Sequence, residues 1–252
     1  MTQTIYAIGD IHGDLHQLRA VHSFIEADIT TQSAVAPVII HIGDLVDRRP
    51  DSKGVIDHLI TGTDAGKPWV VLRGNHDRLF AMFLKDPHAS DPVLRPDYTW
   101  LHPRMGGRET LASYGVEYSD DKSLEQLQAE ALAAVPASHL SYLEHLPNAW
   151  QSDTHFFCHA GVKPGVPLDE QIEDDLIWVR KPFHISTENF AKVIVHGHTP
   201  IDNVTHYGNR INIDTGAAYG KRLSAIVLDE TGVWQITASG RREILHLPPG
   251  SI

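Results

Sequence analysis

Short apolar runs alternate with segments of helical spacing over the first third of the chain. Thr4–Ile8, Val38–Ile42 and Trp69–Leu72 are runs of four or five residues with the composition of short strands. Between them, Leu15–Ala27 repeats apolar residues at intervals near three and four, which predicts a helix. Asp51–Thr61 predicts a second helix ending near Gly62, and Asp77–Leu84 a third. This alternation predicts βαβ units and a largely parallel sheet with helices on both faces, an α/β fold.

The pattern changes at Lys85. The stretch to Trp150 starts irregular and proline-rich (Pro87, Pro92, Pro96, Pro103), then shows helical spacing at Gly106–Tyr114, Leu124–Val135 and Ser138–His145. It reads as a helical insertion, about 85–150, covering one edge of a site within one domain spanning 1–252. Strand patterns resume at His155–Cys158 and Val193–Val195. Hairpins follow: Arg210–Ile213, Ser224–Leu228, a turn at Asp229-Glu230-Thr231-Gly232, then Val233–Thr237. There are no internal repeats and no low-complexity segment.

Composition adds exclusions. Hydrophobic residues make up 42% and charged residues 21%, ordinary for a globular chain, and no apolar stretch is long enough to span a membrane. The formal charge of −11 argues against broad nucleic-acid binding through phosphates. The first residues lack a signal-peptide pattern, so a cytoplasmic location is the default expectation. A monomer is the default oligomeric state. Cys158 is the only cysteine, so no disulfide forms within the chain. It reads as a buried small residue facing away from its neighbour His159, and no phosphate loop follows it. There are seventeen histidines. His16, His22, His58, His102, His139 and His145 lie outside any ligand set and are expected at the surface. His41 is expected in the core or behind the site. Tyr114, Trp100 and Trp178 read as packing residues, and Arg241-Arg242 as a solvated pair.

The chemistry concentrates in five motifs, each ending an apolar run: Gly9-Asp10-Ile11-His12-Gly13, Gly43-Asp44-Leu45-Val46-Asp47-Arg48, Gly74-Asn75-His76-Asp77, His159-Ala160-Gly161 and His196-Gly197-His198-Thr199. Parallel strands aim their carboxyl ends at one edge, so residues distant in sequence can meet there. Aspartate, histidine and asparagine suit divalent ions such as Mn, Fe or Zn. Asp10 or Asp44 alone would read equally well as a helix N-cap. Together, the five motifs point to two divalent cations that activate water and clamp a phosphoryl oxygen.

In order and spacing these motifs resemble the phosphoprotein phosphatase family of the calcineurin-like metallophosphoesterases, in its small bacterial and phage-type branch. Leu176–Arg180, Asn212–Ala217 and Gly220–Leu223 resemble further segments of that branch. The resemblance implies central β-sheets packed as a sandwich and flanked by helices. It implies one metal held by Asp10, His12 and Asp44, and another by Asp44, Asn75, His159 and His198. Manganese is expected, with iron or zinc as alternatives. The nucleophile would be a hydroxide bridging the two. His76 would be the general acid, with Asp47 fixing its tautomer and keeping it protonated. Arg48 and Arg180, with Asn75, would grip the phosphate. His196 would support its neighbour rather than bind a metal.

Three positions need comment. Pro200 stands where the wider superfamily often has another histidine, as in the phosphatase branch. Arg49 stands where the family usually has glycine, and points to solvent or adds a second basic group near the substrate. Asp77 stands where the family often has glutamate, a shorter reach. The expected activity is hydrolysis of phosphoserine or phosphothreonine, and of phosphotyrosine as a further candidate, in protein or peptide substrates. The competing enzyme is a diadenosine tetraphosphate hydrolase. A non-catalytic scaffold is the third reading, disfavoured because a scaffold has no need of an acid catalyst.

Overall fold

The computed structural model describes residues 3–34, 36–95 and 97–251. Its first half follows the expected alternation: β1 (Ile5–Ile8), α1 (Leu15–Gln32), β2 (Val38–His41), α2 (Ser52–Asp64), β3 (Trp69–Val71) and α3 (Asn75–Lys85). Aspartates start the first two helices. Asp14 accepts from the amide of Gln17 at 3.1 Å, and Asp51 from that of Gly54 at 2.9 Å. Helix α1 runs on past Ala27 to Gln32 and ends where Ser33 turns left-handed.

Three helices fill the stretch after α3: α4 (Gly107–Ser113), α5 (Leu124–Ala134) and α6 (Ala137–Glu144). Then come β4 (Ala149–Gln151), β5 (His155–Cys158), α7 (Glu173–Trp178), α8 (Lys181–His184), β6 (Val193–His196), β7 (Thr205–His206) and β8 (Arg210–Asn212). The chain closes with β9 (Ala225–Asp229), β10 (Gly232–Thr237), β11 (Gly240–Arg242) and β12 (Leu245–His246).

The strands form two six-stranded mixed sheets, not one largely parallel sheet. Their orders are β11-β10-β9-β1-β2-β3 and β12-β7-β8-β6-β5-β4. In the first, β1, β2 and β3 are parallel, but β9 pairs antiparallel with the other side of β1. That pairing closes the flank that β5 and β6 would need. They build a second sheet instead, parallel to each other and to β8.

Alternation along the strands explains how the sheets pack. Ile5, Ala7, Val38, Ile40 and Ile42 meet Phe157, Val195, Ile211 and Ile213 in a core between the sheets. Tyr6, Ile8 and Ile39 face the opposite way, into a larger core under α1 to α6. A third core joins α7 and α8 to the outer face of the second sheet. Ile40 is fully buried, so its truncation to alanine costs about 2–5 kcal/mol.

Several polar residues expected at the surface are internal. Arg241 pairs with Asp28 at 2.9 Å and Asp229 at 2.6 Å, tying α1 to the β9–β11 meander. His139 is buried, bonding Tyr114 at 2.8 Å and Asp57 at 2.9 Å. His22, His41 and His58 form a chain: His58 Nε2 to His22 Nδ1 at 3.0 Å, and His22 Nε2 to His41 Nε2 at 2.9 Å. His41 Nδ1 lies 3.3 Å from the Val70 carbonyl. A carbonyl only accepts, so His41 carries its proton on Nδ1, and His22 and His58 then donate from Nε2. A periodicity reading places His22 on a helix but cannot see that its face meets β2 and Trp69.

This chain of neutral rings makes stability pH-dependent. Burial pushes His22 down to about 2 and His41 down to about 4, with neighbouring rings adding to the effect on His22. Unfolded histidine titrates near 6.5, so the unfolded state takes up these protons first. Stability from the pair is complete above pH 6.5 and is lost as pH falls toward the folded values. The expected slope is about 1.4 kcal/mol per pH unit for each histidine. Urea unfolding between pH 7.5 and 5 checks this. His22→Gln should flatten the slope, and an equal slope in that variant would contradict the assignment.

Candidate active site

Every motif follows a strand at the same edge of the molecule. Asp10 and His12 follow β1, Asp44 to Arg48 follow β2, and Asn75 and His76 open α3 after β3. His159 follows β5, His198 follows β6 and Asp214 follows β8. Backbone bonds lock these loops together. The amides of Ile11 and His12 both donate to the Asp44 carbonyl, at 3.0 and 2.8 Å, and the His76 amide donates to Asp44 Oδ1 at 3.0 Å.

Non-glycine residues with positive φ gather here: His12, Asp44, Asp47, Arg48 and His198. Such conformations cost energy and persist where packing imposes them. Two glycines permit close approach. A Cβ on Gly74 would strike the Asp44 amide and carboxylate, and one on Gly197 would strike the Asp10 carboxylate.

Among the described residues, two groups of side chains converge tightly enough to hold a metal ion: His12, Asp44 and His76, and Asp44, His159 and His198. Asp44 belongs to both, as expected of a bridging ligand. Asp10 lies outside these groups and accepts the His198 amide at 3.0 Å. Asn75 Oδ1 sits 3.0 Å from His159 Nε2.

The donor chemistry fits cations. His12 Nδ1 and His159 Nδ1 each lie 3.0 Å from a carbonyl, of Val46 and Ile42. Both rings therefore donate from Nδ1, which leaves a lone pair on Nε2 in the neutral form. Each Nε2 faces an Asp44 oxygen at 3.3 Å. Two electron-rich atoms face one another only across a metal ion or a proton.

The electrostatics agree. Burial raises Asp10 well above the usual carboxylate range, and Asp214 adds to it. Burial acts the same way on Asp44, but His159, His76 and His12 outweigh it and hold Asp44 well below that range. Burial disfavours a charged His159, yet Asp44 and Asp10 lift it to about 9.

His76, expected as the acid, is itself a member of the first group. Its Nδ1 is 2.6 Å from Asp47 Oδ2, and its Nε2 accepts from Arg48 at 2.9 Å. The Asp47 contact sets the ring's tautomer. Burial pushes His76 down to about 3, with Asp44 favouring the charged ring and the Arg48 charge opposing it. Burial likewise pushes Asp47 up to about 7, against donors that favour the anion: Thr110 Oγ1 at 2.7 Å and Trp100 Nε1 at 3.0 Å. Arg180 donates from Nε to His198 Nε2 at 2.9 Å, so both arginines line the site.

A model of the calcineurin-like phosphoesterase family matches residues 3–228. The chain belongs to that family. It is a metallophosphoesterase, a hydrolase of a family that uses a dinuclear metal centre. Serine/threonine-protein phosphatase 2 of Escherichia coli (strain K12) is 28% identical to it over 240 residues, 87% of this chain and 90% of that protein. The asymmetrical bis(5'-nucleosyl)-tetraphosphatase PrpE of Anoxybacillus flavithermus is 25% identical over 240 residues, 87% and 88% of the two chains. A cold-active protein tyrosine phosphatase shares the fold, with a TM-score of 0.64 at 16% identity over 100% of this chain and 81% of that one. The two sheets with flanking helices are the family's fold. Among the described residues no helix is long and apolar enough to cross a membrane.

Against that family pattern the remaining expectations sort clearly. His196 is buried against Phe183 and His184, with Nδ1 3.1 Å from the Gly197 carbonyl, and supports the loop. Asp77 reaches the amides of Leu45 at 2.9 Å and Gly74 at 2.8 Å, joining the turns after β2 and β3. Cys158 points into the third core, its Sγ 3.2 Å from the Gly161 carbonyl, and burial raises its pKa. Sequence reasoning missed Thr110 and Trp100, whose polar atoms serve Asp47 rather than packing alone. It also quoted Asp214 only within a signature, although that carboxylate lies among the other site charges.

Proposed function

We propose that this metallophosphoesterase is a phosphomonoesterase acting on phosphoserine and phosphothreonine in proteins or peptides, with phosphotyrosine a further candidate. The observation that carries this reading is the His76–Asp47 pair, 2.6 Å apart, with His76 in the first ligand group. A serine or threonine alkoxide is a poor leaving group and needs a proton as it departs, whereas a nucleotide phosphate leaves readily without one.

Asp10, His12 and Asp44 would hold one divalent ion, and Asp44, Asn75, His159 and His198 the other, with manganese expected. Bound there, the ions would supply Lewis acidity and a water of lowered pKa. Arg48 and Arg180 have the planar forks that match phosphate oxygens. Arg48 now donates to His76 Nε2, and a phosphate dianion draws that guanidinium away. The freed Nε2 can then take up a proton, favoured by the dianion. His76 passes it to the departing alkoxide while Asp47 holds Nδ1–H in place.

A second reading is hydrolysis of dinucleoside tetraphosphates, supported by the 25% identity to PrpE over most of both chains. The test is kcat/KM of the manganese-loaded protein on phosphopeptides and on diadenosine tetraphosphate side by side. The expected result is a strong preference for phosphopeptides. A strong preference for the dinucleotide would overturn the substrate while leaving the chemistry intact.

A further inference from the structure

Arg49 stands where the resembled phosphatase branch usually has glycine, and its backbone accommodates a side chain. Asp47 and Arg48 have φ of 74° and 70°, but Arg49 is not among the positive-φ residues, so a side chain there adds no strain. Its amide donates to the carbonyls of His12 at 3.1 Å and Asp47 at 2.8 Å. The residue is therefore pinned to the two loops that carry the acid catalyst's partner and a metal-ligand candidate.

The Arg49 side chain is 39% exposed. Its Nε is 3.5 Å from Asp14 Oδ2 and has no hydrogen bond among the described residues. Asp14 is already engaged, since both of its oxygens serve Gln17. At its far end Arg49 Nη1 approaches Gly220. The neighbouring residue Tyr219 is 66% exposed, and the Arg48 guanidinium lies 5.4 Å from its ring centroid. Arg48 in turn contacts His12 and His76. Arg48 thus links the reaction centre to Tyr219, and the Arg49 guanidinium ends near the adjacent Gly220. A weakly paired guanidinium and an open aromatic face stand out on a chain whose formal charge is −11.

We propose that Arg49 and Tyr219 form a specificity subsite for phosphopeptides that carry an acidic residue next to the phosphorylated one. Arg49 takes the flanking carboxylate, and the Tyr219 ring supports the peptide between the two anions. This rests on the phosphoprotein reading above. A local guanidinium contact sets register and selectivity, because the chain's overall negative charge does not steer acidic peptides toward it.

The test compares matched phosphoserine peptides with glutamate or glutamine at the flanking position, in wild type, Arg49→Gly, Arg49→Lys and Tyr219→Ala. Wild type should favour the glutamate peptide by about twofold to fivefold at low salt, the scale of a partly exposed ion pair. Arg49→Gly should erase that ratio through KM rather than kcat, and Arg49→Lys should keep part of it. An unchanged ratio in Arg49→Gly would overturn the subsite. So would a loss confined to diadenosine tetraphosphate, which would assign Arg49 to a second phosphate. If wild type cleaves nitrophenyl phosphate but no phosphopeptide, the substrate reading itself has failed and the subsite falls with it.

Discussion

Replacing His76 with asparagine should lower kcat on a phosphoserine peptide by roughly two to four orders of magnitude, the range supplied by general acid catalysis. Asparagine can still accept from Arg48 and donate toward Asp47, so the 2.6 Å and 2.9 Å contacts have polar replacements. What it cannot do is carry a proton to a leaving alkoxide. The loss should shrink on nitrophenyl phosphate, whose leaving group departs without a proton, and KM should change little. Equal losses on both substrates would remove His76 from the acid role and leave it a positioning residue. Asp47→Asn should fall between, since the amide can still touch Nδ1 but favours the wrong tautomer.

Much of this site was legible because each contributing residue sits directly after an apolar run. Asp10, Asp44 and Asn75 follow β1, β2 and β3, and geometry alone sends the ends of parallel strands to one edge. The division into two sheets was not legible from spacing. A short run such as Val38–Ile42 shows which positions are apolar but cannot reveal whether its neighbour is parallel or, like β9 beside β1, antiparallel. Only the family resemblance supplied the sandwich.

Trp100 and Thr110 were missed for a different reason. They lie 53 and 63 residues from Asp47, in a stretch with no motif, and their role exists only once that stretch folds over Arg48 and Asp47. His22 and His139 fail similarly, because helix spacing shows which face is apolar but not which polar atom across the interface completes a hydrogen bond. Arg49 is the converse case. It was visible as a departure from the family pattern, and only its ordinary backbone and exposed side chain turn that departure into a testable specificity.

Metal removal should abolish turnover altogether, and Asp44 is where that dependence is anchored. Its two oxygens face His12 and His159 at 3.3 Å each, and it is the residue common to both ligand groups. Without cations, a proton on His159 and the Arg48 guanidinium beside His12 Nε2 occupy those contacts, and neither lowers the pKa of water as a divalent ion does. Chelation followed by gel filtration should therefore take kcat on any phosphoester to background, and manganese should restore it. Elemental analysis should find about two ions per chain in the reconstituted wild type and a clear deficit in Asp44→Asn, which gives up the bridging charge. Gly74→Ala should show the same deficit with every ligand intact, because its Cβ would displace the Asp44 carboxylate. Ion retention should weaken as pH falls, since a metal must replace the proton that Asp44 and Asp10 hold on His159. Full metal content in Asp44→Asn would contradict the bridging role, and undiminished turnover after chelation would remove the metals from the chemistry.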